Sequence, residues 1–269
     1  NTNGRSKNYI SIACRGDHAT TLGIGSKVYF FNKGRINEVT ALHDVSLQIN
    51  SGEFVVIIGV NGSGKSTLLN IIQGAEIPTT GTIEINGTDV TSLPEHKRSK
   101  WVARVFQNPN NGTAPDLTIL ENFRLAALRT RHKNIIVGMD NAFKEKVQQT
   151  ISELGMGLED KIAQPRRSLS GGQTQGLTLL MSIMDESEIV LMDEPTAALD
   201  PKSSQVVLGL AEKINKEYRK KVVFITHNLK DALNHGNRLV QIQEGKILID
   251  LSAEQKSKLT LQDMLQLFS

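Results

Sequence analysis

Residues Phe54 to Ser66 read FVVIIGVNGSGKS: an uninterrupted apolar run that breaks into a glycine-rich turn and ends in Lys65 and Ser66. Five consecutive apolar residues are too short for a buried helix and suit a central parallel strand covered on both faces. From Gly59 to Ser66 the spacing is a glycine, four residues, then Gly, Lys and Ser, the pattern of a phosphate-binding loop. Gly59, Gly62 and Gly64 let backbone N–H groups converge on an anion with no Cβ in the way, and Asn61 and Ser63 complete the loop. A helix is expected from Ser66 to Gln73, with Leu68, Leu69, Ile71 and Ile72 as its buried face and Gly74 at its end. Its positive end would face the same anion, with Thr67 beside Ser66 in the first turn. This chemistry points to ATP with Mg2+: Lys65 reaching the β- and γ-phosphates, and the Ser66 hydroxyl as a metal ligand.

A phosphate loop needs an acidic partner for the metal, and a second apolar run, Ile189 to Met192, ends in Asp193 and Glu194. Asp193 is the expected magnesium-associated carboxylate, and Glu194 is placed to polarise the attacking water. Strand signals recur at Val222 to Thr226, with a helical segment at Gln205 to Tyr218 before them, so strands alternate with helices as in a mostly parallel α/β sheet. Val28 to Phe31 and Val45 to Ile49 read as short strands opening the fold, and Ile83 to Val90 as a strand and turn around Asn86 and Gly87. Helical spacing dominates from about Thr118 to Leu154, as a separate lobe would. Leu239 to Ile242 and Lys246 to Ile249 read as a hairpin through Glu244 and Gly245, and Leu259 to Phe268 as a short amphipathic helix. Residues 1–21 are polar and show no sustained period, so they are expected to be an extension.

Composition narrows the classes. At 269 residues and 39% hydrophobic, the chain can bury one large core or two modest ones. Lys plus Arg exceed Asp plus Glu by only 31 to 28 and are scattered, so charge argues for neither nucleic acid nor anionic lipid. The single cysteine, Cys14, excludes an internal disulfide and suits a reducing cytosol. The longest apolar stretch, Phe54 to Val60, falls far short of the roughly 20 residues that cross a bilayer, and no secretory signal is visible. A cytoplasmic protein is expected, with any membrane role borrowed from another subunit.

Leu169, Ser170, Gly171, Gly172 and Gln173 would alone be an ordinary loop and helix start. Following the phosphate loop, and followed in turn by Asp193 with Glu194 and by Thr226 with His227 after an apolar strand, they make the chain resemble the ATP-binding subunits of ABC transporters. The resemblance covers roughly Leu22 to Asp250, and the Leu-Ser-Gly-Gly-Gln signature is among the most specific markers of that family. It implies a P-loop NTPase ABC cassette: a mostly parallel sheet core, an N-terminal antiparallel β subdomain and a helical lobe inserted at about 108–170. Residues 251–269 would follow as a short C-terminal helix. One departure stands after the signature, where Thr174, Gln175 and Gly176 replace a more basic helix start, and Gly176 alone should cost about 1 kcal/mol of helix propensity.

The resemblance also implies roles. Gln107, within Val105 to Pro109, corresponds to the loop glutamine that senses magnesium and the attacking water, and His227 to the switch histidine at the γ-phosphate. Ala198, Leu199 and Asp200 correspond to the loop crossing a dimer interface. Phe31 stands at the position that stacks on adenine, once an insertion around Asn37 to Thr40 is allowed, with Tyr29 and Phe30 as competitors. The signature of one copy would close over ATP bound by Gly59 to Ser66 of a second. Partners implied are that second copy, transmembrane permease subunits docking near Asn108 to Asn122, and an extracytoplasmic solute-binding protein, holding the chain on the inner face of the cell membrane. No nucleic acid is expected: a rival reading, a soluble ABC-type ATPase of translation or DNA repair, usually carries two cassettes or a long coiled coil. A small-molecule kinase would leave Leu169 to Gln173 unexplained. The spacing from Phe31 to Val45 resembles both importers and exporters, and import of a small solute is the expected direction.

Overall fold

A computed structural model describes residues 9–13, 24–32, 35–128, 140–184 and 187–268. In chain order the strands and helices are β1 (Tyr9–Ala13), β2 (Ile24–Asn32), β3 (Arg35–Val45), β4 (Leu47–Asn50), β5 (Phe54–Ile58), α1 (Lys65–Gln73), β6 (Thr82–Ile85), β7 (Thr88–Asp89), α2 (Glu95–Arg98), β8 (Val102–Val105), α3 (Ile119–Ala127), α4 (Asn141–Ser152), α5 (Gly171–Met181), β9 (Ile189–Asp193), α6 (Pro201–Glu217), β10 (Lys221–Ile225), α7 (Leu229–Asn234), β11 (Arg238–Gln243), β12 (Lys246–Leu251), α8 (Ala253–Lys256) and α9 (Leu261–Phe268). They form two compact units, residues 1–98 with 223–269, and residues 99–222.

In the first unit β5 is buried along its whole length, as an all-apolar strand must be, and pairs in parallel with β11 from Val55 opposite Arg238 to Ile58 opposite Gln241. β11 turns into β12 as an antiparallel hairpin, its corner made by Glu244 at φ 48° and Gly245 at φ 75°. Leu68, Leu69, Ile71 and Ile72 of α1 are fully buried, and each such side chain contributes about 1.5–3 kcal/mol of transfer free energy. Phe54 and Phe224 meet edge to face with centroids 6.3 Å apart. A four-stranded antiparallel sheet runs in the order β4-β1-β6-β7, and β2 pairs with β3.

One expectation changes here. Tyr9–Ala13, within the stretch read as an extension, is a strand, with Ile10 opposite Ile49 on β4 and opposite Ile85 on β6. Asn37 to Thr40 lie inside the continuous strand β3.

In the second unit β8 and β9 form another parallel pair, Val102 opposite Ile189 through Val105 opposite Met192. Thr118 and Glu121 close a capping box at the start of α3. Buried Asn122 donates through Nδ2 to the carbonyls of Ala114 and Thr118 and accepts from the Ala114 N–H at 2.8 Å, which fixes the segment before the helix. α6 opens with Asp200 as N-cap and Pro201 in its first turn, and its apolar stripe, Val207, Leu208, Ala211 and Ile214, follows the helical period.

Candidate functional site

The phosphate-loop residues belong to the first unit. Beyond β5 the chain bends at Gly59, where a Cβ would stand 2.1 Å from the Ile242 carbonyl oxygen and 2.7 Å from Ser63 Oγ. Gly64, at φ 102°, is the N-cap of α1, and a Cβ there would meet the Ala41 carbonyl at 2.5 Å. Gly245 donates its N–H to the Ser63 carbonyl at 3.0 Å, so the β11–β12 corner supports the loop from behind. Lys65 is nearly buried, its Nζ donating to the carbonyls of Gly59 and Val60 at 2.8 Å each. The ammonium therefore crosses the loop's own mouth. α1 begins without a side-chain cap, so its first N–H donors and its positive end are directed at whatever anion the loop encloses. Asn61, Gly62 and Ser66 are exposed and Thr67 is half-buried. In the same unit the Thr226 N–H donates to the Ile57 carbonyl at 3.2 Å, which places exposed His227 just past a strand end bonded to β5.

The acidic pair belongs to the second unit. β9 is buried through Met192, and Asp193 and Glu194 emerge half-buried at its end. Glu194 has φ 45°, the left-handed region that non-glycine residues rarely enter. It precedes Pro195, which disfavours the right-handed helical conformation for Glu194, so the chain leaves the strand abruptly. Such strain at the end of a buried strand is a mark of functional geometry. Gln107 Nε2 stands 3.5 Å from Glu194 Oε2, so the structure does bring these two predicted residues together.

The signature is a helix start. Ser170 Oγ accepts the Gln173 N–H at 3.3 Å and Gln173 Oε1 accepts the Ser170 N–H at 3.0 Å, a capping box that explains both residue types locally. Ser170 and Gly171 are exposed, whereas Gly172 is buried, and a Cβ on it would lie 2.6 Å from Ser203 Cβ. Asp200 Oδ2 accepts from Ser203 Oγ, and its Oδ1 from the N–H groups of Lys202 and Ser203. Those bonds, the Ser203 side chain first, hold the Asp200 carboxyl below its ordinary range. Gly176 faces Leu154, whose Cδ2 would be 2.6 Å from an added Cβ, so packing overrides the helix propensity that Gly176 sacrifices.

Phe31 lies in β2, and its side chain, like that of Tyr29, is outside the described residues. Sequence reading missed two contacts. Arg104 Nη2 bonds Asp193 Oδ2 at 2.7 Å, and Gln175, fully buried on α5, donates from Nε2 to the Phe106 carbonyl at 2.8 Å beside Gln107. The available signal for the first was a lone cation inside the otherwise apolar run Val102 to Phe106.

The donor chemistry fits magnesium. Each unit carries a hard oxygen donor of the kind magnesium takes, an exposed serine hydroxyl in the first turn of α1 in the first and a carboxylate at the end of β9 in the second. Among the described residues, no helix is long and apolar enough to cross a membrane.

Comparison with known proteins identifies the family and the fold. The ABC transporter family model matches residues 42–197. A tyrosine transport ATP-binding protein of Clostridioides difficile is 39% identical over 232 residues, which cover 85% of this chain and 91% of that protein. A phosphonates import ATP-binding protein of Lactococcus lactis is 34% identical over 243 residues, 88% of this chain and 98% of that one. Among solved structures, a dimeric post-hydrolysis ATP-binding cassette bound to ADP and phosphate superposes with a TM-score of 0.74 at 27% identity, covering 91% of this chain and 98% of the other. A nucleotide-free cassette from an ABC transporter, 22% identical and covering 96% and 94%, agrees in fold with a TM-score of 0.73. With the phosphate loop, the strained acidic strand end and the capped signature helix in one chain, this protein belongs to the ATP-binding, ATP-hydrolysing subunits of the ABC transporter family.

Proposed function

We propose that this subunit works as a pair of identical copies that close around magnesium-ATP and drive import of a small solute through separate permease subunits. The observation that carries the reading is the uncapped N-terminus of α1 behind Lys65, a cradle of positive charge and N–H donors shaped for phosphate. In this reading one cassette spans 22–250, with its helical lobe at about 108–170. Gly59 to Thr67 bind the phosphates, Phe31 stacks on adenine, and Ser66, Gln107 and Asp193 hold the metal. Magnesium, when bound, neutralises phosphate charge. Glu194 draws the proton from the attacking water, and Gln107 and His227 orient that water and the γ-phosphate. Ser170, Gly171, Gly172 and Gln173 of the partner copy add a second helix N-terminus, and the pair opens when hydrolysis removes the bridging charge.

Import is supported by the relatives, which serve tyrosine transport and phosphonates import. They do not favour a soluble role in translation or repair. Docking on a permease at the inner membrane face is supported by a groove of about 350 Å3 in the second unit, lined by Arg104, Gly112, Ala114, Asn122, half-exposed Leu125 and Met181. Its lining overlaps the expected docking segment, Asn108 to Asn122. The test is sedimentation with ATP: Glu194→Gln is expected to bind ATP and accumulate as a dimer, and Ser170→Arg to bind ATP as a monomer without hydrolysis. Wild-type turnover by Glu194→Gln overturns the base assignment. Copurification of the native complex with a permease and a solute-binding protein supports the transport partners, and association with ribosomes or DNA alone overturns them.

A further inference from the structure

Arg104 is not one of the residues needed to bind or hydrolyse ATP in the mechanism above, yet it is built into the site. Its strand, β8, is otherwise buried, and the Arg104 side chain is only 10% exposed where it meets the 17% exposed Asp193. Nη2 donates to Asp193 Oδ2 at 2.7 Å, a short charge-assisted bond. The guanidinium also lies 5.0 Å from the centroid of the Phe106 ring, which fixes it from another side. A guanidinium carries N–H donors and no acceptor, so Arg104 meets Asp193 as a cation and donor only. The negative charge of Asp193 is therefore already shared with Arg104, and a divalent ion arriving there would meet it in that state.

We propose that Arg104 sets the magnesium demand of the nucleotide site by holding one oxygen of the Asp193 carboxylate and partly neutralising it. The proposal rests on the reading of Asp193 as the magnesium-associated carboxylate. A positive charge held this close, in a part-buried setting where water screens poorly, opposes arrival of a second cation at the same group. Arg104 is thus a positioning residue that acts through Asp193.

The experiment titrates Mg2+ into the full-length protein with a fluorescent ATP analogue and reads the half-saturating Mg2+ concentration, against nucleotide binding in EDTA as baseline. Arg104→Met and Arg104→Gln, both uncharged, are expected to lower that concentration by roughly three- to tenfold and to leave the EDTA baseline unchanged. Arg104→Lys keeps the charge and is expected to stay within about twofold of wild type. Asp193→Asn is expected to raise the concentration. If Asp193→Asn shifts the midpoint while the uncharged Arg104 variants leave it unchanged or raise it, the role of Arg104 is refuted and the reading of Asp193 stands. If Arg104→Lys shifts as far as Arg104→Met, charge is not the agent. No response to Asp193→Asn removes the metal reading itself.

Discussion

Arg98 offers the sharpest test of how the phosphate-loop helix is anchored. Its side chain is fully buried in the first unit, where Nε donates to the Leu93 carbonyl at 2.8 Å, Nη1 to the carbonyls of Ile72 at 3.2 Å and of Ile71, and Nη2 to that of Thr91 at 2.7 Å. Ile71 and Ile72 belong to the last turn of α1, whose carbonyls have no partner within the helix, so Arg98 is the C-terminal clamp of the helix that opens at Lys65. Burial is the larger effect on the guanidinium, whose pKa is pushed down to about 10 despite the nearby Asp89 carboxylate. Arg98→Met keeps the buried volume and removes every donor. Bonds to charged groups are worth about 1.5–3 kcal/mol each, and relief of the guanidinium's own desolvation offsets a large part of their sum. The expected net loss is about 3–4 kcal/mol. Urea unfolding followed by far-ultraviolet circular dichroism measures it, with ATP affinity of the folded protein expected to hold. Arg98→Lys, with a compact head that cannot span the same carbonyls, should recover about half or less. A loss under about 1 kcal/mol, or a large fall in ATP affinity at full stability, would refute the clamp.

Three further outcomes are expected. Lys65→Ala should weaken ATP binding about 10- to 150-fold, the equivalent of one charge-assisted bond of about 1.5–3 kcal/mol, and isothermal titration in EDTA and in magnesium reads it. Gly172→Ala forces a Cβ to within 2.6 Å of Ser203 Cβ, and overpacking of about 1–3 kcal/mol set against about 1 kcal/mol of helix propensity leaves a net loss near 1 kcal/mol. Adding Ser203→Gly should restore the packing, and a double-mutant cycle with no coupling would show that the contact carries nothing. For Asp200 the carboxyl is held below its ordinary 3.8, so its stabilisation is present above that value and is lost as pH falls through the lower folded value. The melting temperature of Asp200→Asn should lie below wild type at pH 7 and approach it only as pH falls below about 3.8, whereas a gap independent of pH would contradict the assignment.

What could be read from sequence is what depends on local backbone chemistry. The bounds of α1 follow from Gly64 and Gly74, whose positive φ the residue type announces, and Asn86 with Gly87 at φ 52° and 76° mark the corner between β6 and β7 for the same reason. Strand β1 was hidden because Tyr9–Ala13 becomes a strand only through its neighbours β4 and β6, and five residues without a period carry no sign of those partners. The Arg104–Asp193 bond spans 89 positions, beyond any local pattern. Gly176 shows the limit from the opposite direction: judged alone it weakens a helix, while in the fold its missing Cβ makes room for Leu154.

The residues legible early and those found late divide the work differently. Gly64, Lys65, Asp193 and Glu194 are the groups proposed to touch nucleotide, metal or water, and that chemistry accounts for their types without reference to their neighbours in the fold. Arg98, Gln175 and Gly172 touch other parts of the protein, and each is explained by the partner it meets: the carbonyls of α1, the Phe106 carbonyl and the Ser203 side chain. Arg104 belongs to both sets, a strand residue by position and a counter-charge to Asp193 by contact. A site residue whose role is to temper another can therefore be found only when the fold has brought the two together.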